Sequence, residues 1–136
     1  THESVLDAVP KALPALLRAK KLQNKAAKVG FEWKNLDDVL NKLEEELGEF
    51  REALKTGNLE DRQEEFGDLL FVLVNFARMN DIDAEDALRP CSDKFERRFR
   101  GIEQQFRDSK KDISKAPLEE MERMWVVEKN KEKKKA

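Results

Sequence analysis

Apolar residues recur every three or four positions in the second quarter of the chain. They are Leu36, Leu40, Leu43, Leu47, Phe50 and Leu54. This spacing places them on one face of an amphipathic α-helix, which Asn35 or Asp37 can cap at its start. Gly57 is a typical helix stop and Asn58 a typical helix start, so a third helix follows almost at once. The pattern therefore predicts an antiparallel helical hairpin.

The third helix contains an apolar segment at residues 69–74, with the sequence Leu-Leu-Phe-Val-Leu-Val. A helix that is apolar on every side must be covered by other parts of the protein. A short apolar run is also compatible with a buried β-strand, since its period cannot decide between the two. Helical patterns flank this run on both sides, which favours the helix.

Three further helices are predicted from their start and stop signals. The first has Pro14 in its first turn and ends near Gly30. The fourth follows a capping Asp83 and extends to about Lys110, and Pro117 begins the fifth. In the fourth helix, Pro90 is expected to cause a kink, and the predicted buried stripe consists of Phe95, Phe99, Ile102 and Phe106.

Length and composition favour an all-α fold. The chain has 136 residues, 41% of them charged, with five Gly, four Pro and no Tyr, a balance typical of long amphipathic helices. We predict a single domain over residues 1–136, with a lead-in at 1–13 and a frayed tail at 129–136. About five helices form an antiparallel bundle. Because so few helices cannot surround an apolar helix, we expect a homodimer or higher oligomer to complete its four-helix core.

The charge balance and the rare residue types exclude several function classes. The 27 basic and 29 acidic residues give a net charge of −2, which indicates neither a nucleic-acid nor a membrane partner. One Cys and one His provide neither an internal disulfide nor a His-based metal site. The chain has no membrane-spanning run and no signal-peptide pattern, so we expect a cytoplasmic protein. A start at Thr1 is compatible with either processing or excision from a longer protein.

Two acidic pairs lie on the predicted hairpin. Glu46 and Glu49 precede the turn, and Glu65 and Asp68 follow it, each pair with a three-residue spacing that keeps it on one side of its helix. Glu49 and Glu65 each lie about eight residues from the turn, and Glu46 and Asp68 about eleven. Matching offsets place the pairs at the same height on antiparallel helices. Four carboxylates are therefore predicted to converge.

Such convergence suggests a bound cation. Four anions at the rim of a core repel one another and lose hydration, and a divalent ion removes both costs. Oxygen ligands select Mg²⁺ or Mn²⁺ ahead of Zn²⁺. A single acidic pair would more often be solvated surface, as expected for Glu44, Glu52 and Glu60. The matched register of the two pairs argues against a solvated surface here. Gly67 weakens its helix, which suggests that another group approaches the backbone closely at this position.

These motifs resemble those of the MazG-type pyrophosphohydrolases. Glu45-Glu46-Leu47-Gly48-Glu49 is similar to the family's EExxE motif, and Glu65-Phe66-Gly67-Asp68 to its ExxD motif. Fifteen residues separate the motifs, a spacing that fits the family pattern. The likeness extends over most of the chain, including residues 29–33, 94–98 and 121–125, and is strongest to the C-terminal catalytic half of two-domain members.

The resemblance implies an all-α enzyme that hydrolyses a nucleoside triphosphate to the monophosphate and pyrophosphate. It implies Mg²⁺, or alternatively Mn²⁺, as cofactor, with Glu46, Glu49, Glu65 and Asp68 as ligands. A carboxylate-held Mg²⁺ keeps waters and binds phosphates, which suits this reaction. Glu45 is a candidate either to orient the water or to act as the catalytic base, although an ideal helix directs it away from Glu46.

Nucleotide contacts are expected from residues near both motifs and from the fourth and fifth helices. Arginine matches phosphate in charge and geometry, which favours the 94–98 segment as a phosphate clamp, although surface charge is the alternative. Trp125 is a candidate for base stacking or pocket closure, although a lone Trp is more often part of a core. The complete candidate set is Lys42, Glu45, Glu46, Arg62, Glu64, Asp68, Lys94, Glu96, Arg97, Arg98 and Trp125. Some members of the family have lysine near the position of Asp61, so the resemblance does not define the base and sugar contacts of this chain.

Two other functions are compatible with the sequence. One is a more specific helical pyrophosphohydrolase, acting on dUTP or phosphoribosyl-ATP, which substrate profiling would distinguish. The other is a non-catalytic dimeric helical module whose acidic residues serve solubility. Carboxylate pairs at matched heights favour an enzyme over such a module.

Overall fold

The computed structural model of the chain describes residues 3–135, with residues 134 and 135 described by their backbone only. Its helices, in chain order, are α1 (Ala15–Lys28), α2 (Leu36–Thr56), α3 (Leu59–Met79), α4 (Ala84–Asp108) and α5 (Leu118–Lys135), with a 3₁₀ turn at Ile113–Lys115 before α5. Residues 3–135 contain no strand. The prediction of an all-α fold is confirmed, and residues 69–74 are helical.

The predicted helix boundaries follow the capping residues closely. The side chain of Asn35 accepts from the Asp38 amide at the start of α2, and that of Asn58 accepts from the Asp61 amide at the start of α3. Asp83 does the same for the Asp86 amide before α4, at 3.1 Å. These bonds satisfy amides that the first turn of a helix leaves unpaired. Short polar side chains in the sequence therefore determine where α2, α3 and α4 begin.

The chain forms two compact units, Thr1–Ala87 and Leu88–Ala136, and the single domain over residues 1–136 stays a prediction. In the first unit α3 packs against both α1 and α2. The buried apolar residues of this unit are Val9, Val39, Ala53 and Val74, and Val39 is fully buried. Gln23 is buried as well, and its amide donates to the Phe71 carbonyl at 2.9 Å. This bond joins α1 to the apolar part of α3.

The apolar segment of α3 is only partly covered within the chain. Val74 is buried, whereas Leu70, Phe71 and Leu73 are exposed. Phe66, one turn earlier, is exposed too. The expectation that this segment is covered on all sides is therefore not met by the chain alone.

In the second unit, Ile102 and Phe106 of α4 are buried, and Phe99 is half-buried. Phe95 departs from the predicted buried stripe, because it is 57% exposed. Pro90 lies inside α4 as predicted.

The tail predicted to fray from residue 129 instead continues α5 to Lys135. Residues with high helix propensity fill this segment, and the Glu132 side chain is bonded to α4. Ala136, like residues 1 and 2 of the predicted lead-in, lies outside the described residues; residues 3–13 of the lead-in form turns without a helix. Across the described part of the chain, no helix is long and apolar enough to span a bilayer.

Candidate active site

The turn between α2 and α3 sets the register of the hairpin. The Gly57 amide donates to the Ala53 carbonyl at 2.8 Å, and α3 begins two residues later. A Cβ atom at position 57 would lie 2.6 Å from the Ala53 oxygen, so only glycine fits without a shift. The Phe50 and Phe66 rings, with centroids 5.7 Å apart, join the two helices farther from the turn. A tight turn and an aromatic contact together align the acidic residues.

Three acidic side chains meet on the aligned helices. Glu46, Glu49 and Glu65 each offer a carboxylate oxygen, and these oxygens all lie within 4.8 Å of one another. Glu46 is buried, Glu65 half-buried and Glu49 exposed. The cluster therefore extends from the hairpin core to the surface, as a site that exchanges ligand with solvent requires.

The electrostatics of this cluster leave negative charge unbalanced. The Lys42 ammonium lies 3.1 Å from one oxygen of Glu46. The other oxygen of Glu46 and one oxygen of Glu65 are buried without a hydrogen-bond partner among the described residues. The negative charge of Glu46, followed by burial and by the Glu65 charge, raises the pKa of the Glu49 carboxyl. Buried carboxylate oxygens without donors are costly unless a cation is bound.

The fourth predicted ligand, Asp68, does not join the cluster. It is exposed on α3, one turn beyond Glu65, and its carboxylate is not among those within 4.8 Å. Matched height along the helices is therefore not enough to bring this side chain into the cluster. The predicted convergence holds for three of the four acids.

Glu45 lies beside the cluster and shares Lys42 with Glu46. Its carboxylate is 3.4 Å from the Lys42 ammonium, which also contacts Glu46. It also lines a cleft of about 530 Å³ on the turn side of the cluster. The cleft residues are Glu45, Gly48, Glu49, Glu52, Ala53, Thr56, Gly57, Asp61 and Glu65. Lys42 thus brings Glu45 and Glu46 towards one point.

Two acidic residues of this cleft, Glu52 and Asp61, were not among the predicted site residues. Glu52 was assigned to the solvated surface, and its side chain is indeed 70% exposed beside Lys55. The signal for it was its spacing, because residues 45, 49, 52 and 56 form one helical stripe. By contrast, Arg62 and Glu64 are exposed and do not line the cleft, and the Arg62 Nε atom donates to the nearby Asn58 carbonyl, at 3.4 Å.

Gly67 has open space around it. No described atom lies within 4 Å of a Cβ built there, apart from its immediate neighbours and its own helix backbone. The close approach expected at Gly67 is therefore not made by this chain's own residues.

The remaining candidates belong to the second unit. The Arg98 guanidinium lies over the Trp125 ring, 5.2 Å from its centroid, so the structure brings these two together. Arg97 and Arg98 both donate to Glu132, which lies in the segment predicted to be a frayed tail. Glu96 accepts from Arg100 on its own helix, and Lys94 is exposed.

Fold and site together define a class: an all-α protein with a carboxylate cluster on a helical hairpin, suited to a hard divalent cation. The family model for the MazG nucleotide pyrophosphohydrolase domain matches residues 34–101, which include the whole cluster. The chain therefore belongs to the MazG family.

Relatives in several bacteria are similar over most of the chain. It is 40% identical over 133 residues to the nucleoside triphosphate pyrophosphohydrolase of Escherichia coli K12, covering 96% of this chain and 51% of that protein. It is 41% identical over 113 residues to the MazG nucleoside triphosphate pyrophosphohydrolase/pyrophosphatase of Thermotoga maritima, covering 83% and 43%. It is 43% identical over 129 residues to the uncharacterized protein YabN of Bacillus subtilis, covering 92% and 26%. The chain thus spans about half the length of the Escherichia coli relative.

Proposed function

We propose that this chain hydrolyses nucleoside triphosphates to nucleoside monophosphate and pyrophosphate with a divalent cation, Mg²⁺ or alternatively Mn²⁺. The observation that carries the proposal is the meeting of Glu46, Glu49 and Glu65 beside an open cleft, with two buried oxygens lacking donors. The names of the Escherichia coli and Thermotoga maritima relatives point to the same reaction.

The residues of the cluster fit a hard cation. They offer only carboxylate oxygens, which Mg²⁺ and Mn²⁺ prefer. Glu46, Glu49 and Glu65 would each ligate through a carboxylate oxygen, and Glu46 and Glu65 each have a buried oxygen that lacks a donor among the described residues. We retain Asp68 as a fourth ligand, because its exposed side chain is free to change rotamer.

The chemistry divides between cation and protein. When bound, the cation would neutralise phosphate charge and lower the pKa of a nucleophilic water. Lys42 holds Glu46 in place through its 3.1 Å ion pair. Glu45, on the cleft wall, accepts a proton from the water. The water oxygen bonds to the α-phosphorus, the bond to the α–β bridging oxygen breaks, and pyrophosphate leaves with that electron pair.

The nucleotide itself requires further contacts. Arg97 and Arg98 have the fork geometry that suits phosphate oxygens, and Trp125 offers a ring face to a base. Lys42, Arg62, Glu64, Lys94 and Glu96 remain proposed nucleotide contacts. Which base is preferred is tested by profiling all canonical triphosphates together with dUTP and phosphoribosyl-ATP. Uniform activity supports the general reaction, and strict preference for one nucleotide supports the specific alternative.

A second copy of the chain is proposed to cover the apolar face of α3. Leu70, Phe71, Leu73 and Phe66 are exposed there, and such patches are rare on monomers. A homodimer or higher oligomer would complete a four-helix core at this face. Sedimentation should show a species larger than the 15.9 kDa chain, and a lone stable species of that mass would contradict the proposal.

The reaction is tested by pyrophosphate release with Mg²⁺ and with EDTA. Glu49→Ala and Glu65→Ala should each lower activity by at least about 100-fold, because the loss of even an outer partner of a metal ligand costs about 10–100-fold. Glu44→Ala, an exposed glutamate on the same helix, is the matched control and should retain activity. Metal-independent activity, or full activity in both variants, would favour a different site or a non-catalytic module.

The role of Glu45 is tested separately. Glu45→Gln keeps the size of the side chain but cannot accept a proton from the water. Loss of a positioned base typically costs about 10²–10⁴-fold in rate, so kcat should fall by that order. Full activity in this variant would eliminate Glu45 as the base.

A further inference from the structure

One carboxylate on α5 holds two neighbouring arginines of α4. Oε1 of Glu132 accepts from the Arg97 Nε atom at 2.9 Å. Its Oε2 accepts from the Arg98 Nε and Nη2 atoms, at 3.1 and 2.8 Å. These are charge-assisted hydrogen bonds of normal length, which are about twice as strong as neutral ones.

This arrangement overcomes the divergence that a helix imposes on adjacent side chains. Residues at positions i and i+1 do not face each other on an α-helix, since each residue rotates by about 100°. Arg97 and Arg98 would therefore point in different directions without a common partner. By binding both Nε atoms, Glu132 makes the two guanidinium groups converge.

The same helix fixes Arg98 from a second direction. Trp125 lies seven residues before Glu132 and hence on the same face of α5. Its ring packs against the Arg98 guanidinium at 5.2 Å and against the Phe95 ring at 5.6 Å. The Arg98 side chain is only 11% exposed, whereas that of Arg97 is 59% exposed. Arg98 is thus held in one orientation, while Arg97 faces solvent.

The Glu132 carboxyl group is ionised at neutral pH. The two guanidinium groups lower the pKa of its carboxyl to about 2, the bond to Arg98 being the larger cause. The carboxylate therefore stays ionised, and both arginines keep their partner, throughout the neutral range.

We propose that Glu132 is a positioning residue for phosphate binding: it makes Arg97 and Arg98 converge and holds Arg98 against Trp125, so that the pair receives the triphosphate as a preformed unit. This inference rests on the proposed function, in which the two arginines bind phosphate. When two long, flexible side chains are already held in their binding geometry, they lose less conformational entropy as the ligand binds. Glu132 acts through the arginines and does not touch the substrate.

The opposite role, in which Glu132 occupies the arginines as an internal competitor of phosphate, makes an opposite prediction. Displacing Glu132 would break three charged hydrogen bonds and leave a carboxylate beside a polyanionic ligand. Loss of a competitor would tighten substrate binding, whereas loss of a positioning residue weakens it. The sign of the change in KM therefore separates the two roles.

The kinetic test is Glu132→Gln, which keeps side-chain size and removes the charge. We expect KM for the triphosphate to rise roughly tenfold, the scale found for partners that orient a binding group, with kcat changed less than about twofold. Glu132→Asp, which restores the charge on a shorter side chain, should recover part of the loss. Glu128→Gln is the matched control, since Glu128 is on the same helix and accepts from Gln105 of α4 at 2.7 Å. An unchanged or lowered KM in Glu132→Gln would overturn the proposal.

A binding test keeps this inference separable from the reaction. Trp125 is the only tryptophan left after Trp33→Phe, so its fluorescence reports on the Arg98 contact. In that background, Glu132→Gln should alter Trp125 emission before any ligand is added, and weaken pyrophosphate binding roughly tenfold. If pyrophosphate release fails in the parent protein but both changes occur, the proposed function falls and the positioning role stands. Unchanged emission, or unchanged pyrophosphate affinity, overturns the positioning role.

Discussion

Replacing Glu65 by Gln should stabilise the metal-free protein and abolish most of its stabilisation by Mg²⁺. Glu65 and Glu46 each place a carboxylate oxygen within 4.8 Å of the other. At that distance two unit charges repel by about 1 kcal/mol in a water-like dielectric and by about 3 kcal/mol at an effective dielectric of about 20. The Lys42 ammonium, 3.1 Å from Glu46, offsets part of this repulsion. We therefore expect a gain of about 1 kcal/mol in the free energy of unfolding.

With Mg²⁺ present, the wild-type protein should be more stable than Glu65→Gln. A cation at 100 times its dissociation constant stabilises the wild-type protein by about 2.7 kcal/mol, whereas Glu65→Gln has lost one charged ligand and gains much less. The assay is thermal unfolding by circular dichroism, with EDTA and with Mg²⁺. For a chain of this size, about 1 kcal/mol corresponds to about 4 °C in Tm.

The control for this prediction is Glu44→Gln, which removes the same charge from an exposed position outside the cluster. It should leave both Tm values nearly unchanged. The reasoning is refuted if Glu65→Gln lowers the Tm in EDTA, or if Mg²⁺ raises the Tm of wild type and variant equally.

Three further predictions concern the remaining structure. Phe106 is 3% exposed in the second unit, so Phe106→Ala leaves a cavity and should lower the free energy of unfolding, measured with urea, by about 3–5 kcal/mol. The control is Phe31→Ala, at an exposed position, which should change it by less than about 0.5 kcal/mol. Gly67→Ala and Gly48→Ala both meet open space inside helices and should each raise the free energy of unfolding by about 0.5–1 kcal/mol; a loss at Gly67 alone in that measurement would indicate a second subunit or ligand at its backbone. Because the pKa of Glu132 is lowered to about 2, its stabilising effect is complete above pH 4.5 and is progressively lost as the pH falls towards about 2. In urea titrations, the difference in unfolding free energy between wild type and Glu132→Gln should therefore shrink over that range. A difference that stays constant with pH would contradict this origin.

Local signals in the sequence predicted the helices well. Asn35, Asn58 and Asp83 cap helices where expected, and Gly57 ends α2. Each of these features depends on bonds within a few residues, which spacing alone reveals. The division into two compact units could not be predicted in this way, because it depends on which helices pack against each other.

The candidate site was predicted to the extent that helix geometry determines it. Matching offsets from the turn brought Glu46, Glu49 and Glu65 together. Asp68 stayed apart because height along a helix does not fix the reach of a side chain. Glu132 was missed because its partners are more than 30 residues away in sequence, and a Lys- and Glu-rich end has the composition of a frayed tail. Contacts between helices that are far apart in the sequence were therefore the main feature that could not be predicted.

The most direct test of the account is to locate the cation itself. Crystals of the protein grown with Mn²⁺ should give one or more anomalous difference peaks, at least one of them at bonding distance from carboxylate oxygens of Glu46, Glu49 and Glu65, and Glu49→Ala crystals should lose or weaken that peak. Well-ordered crystals in which these three side chains diverge, with no peak between them at saturating Mn²⁺, would contradict the claim that the hairpin binds a catalytic cation.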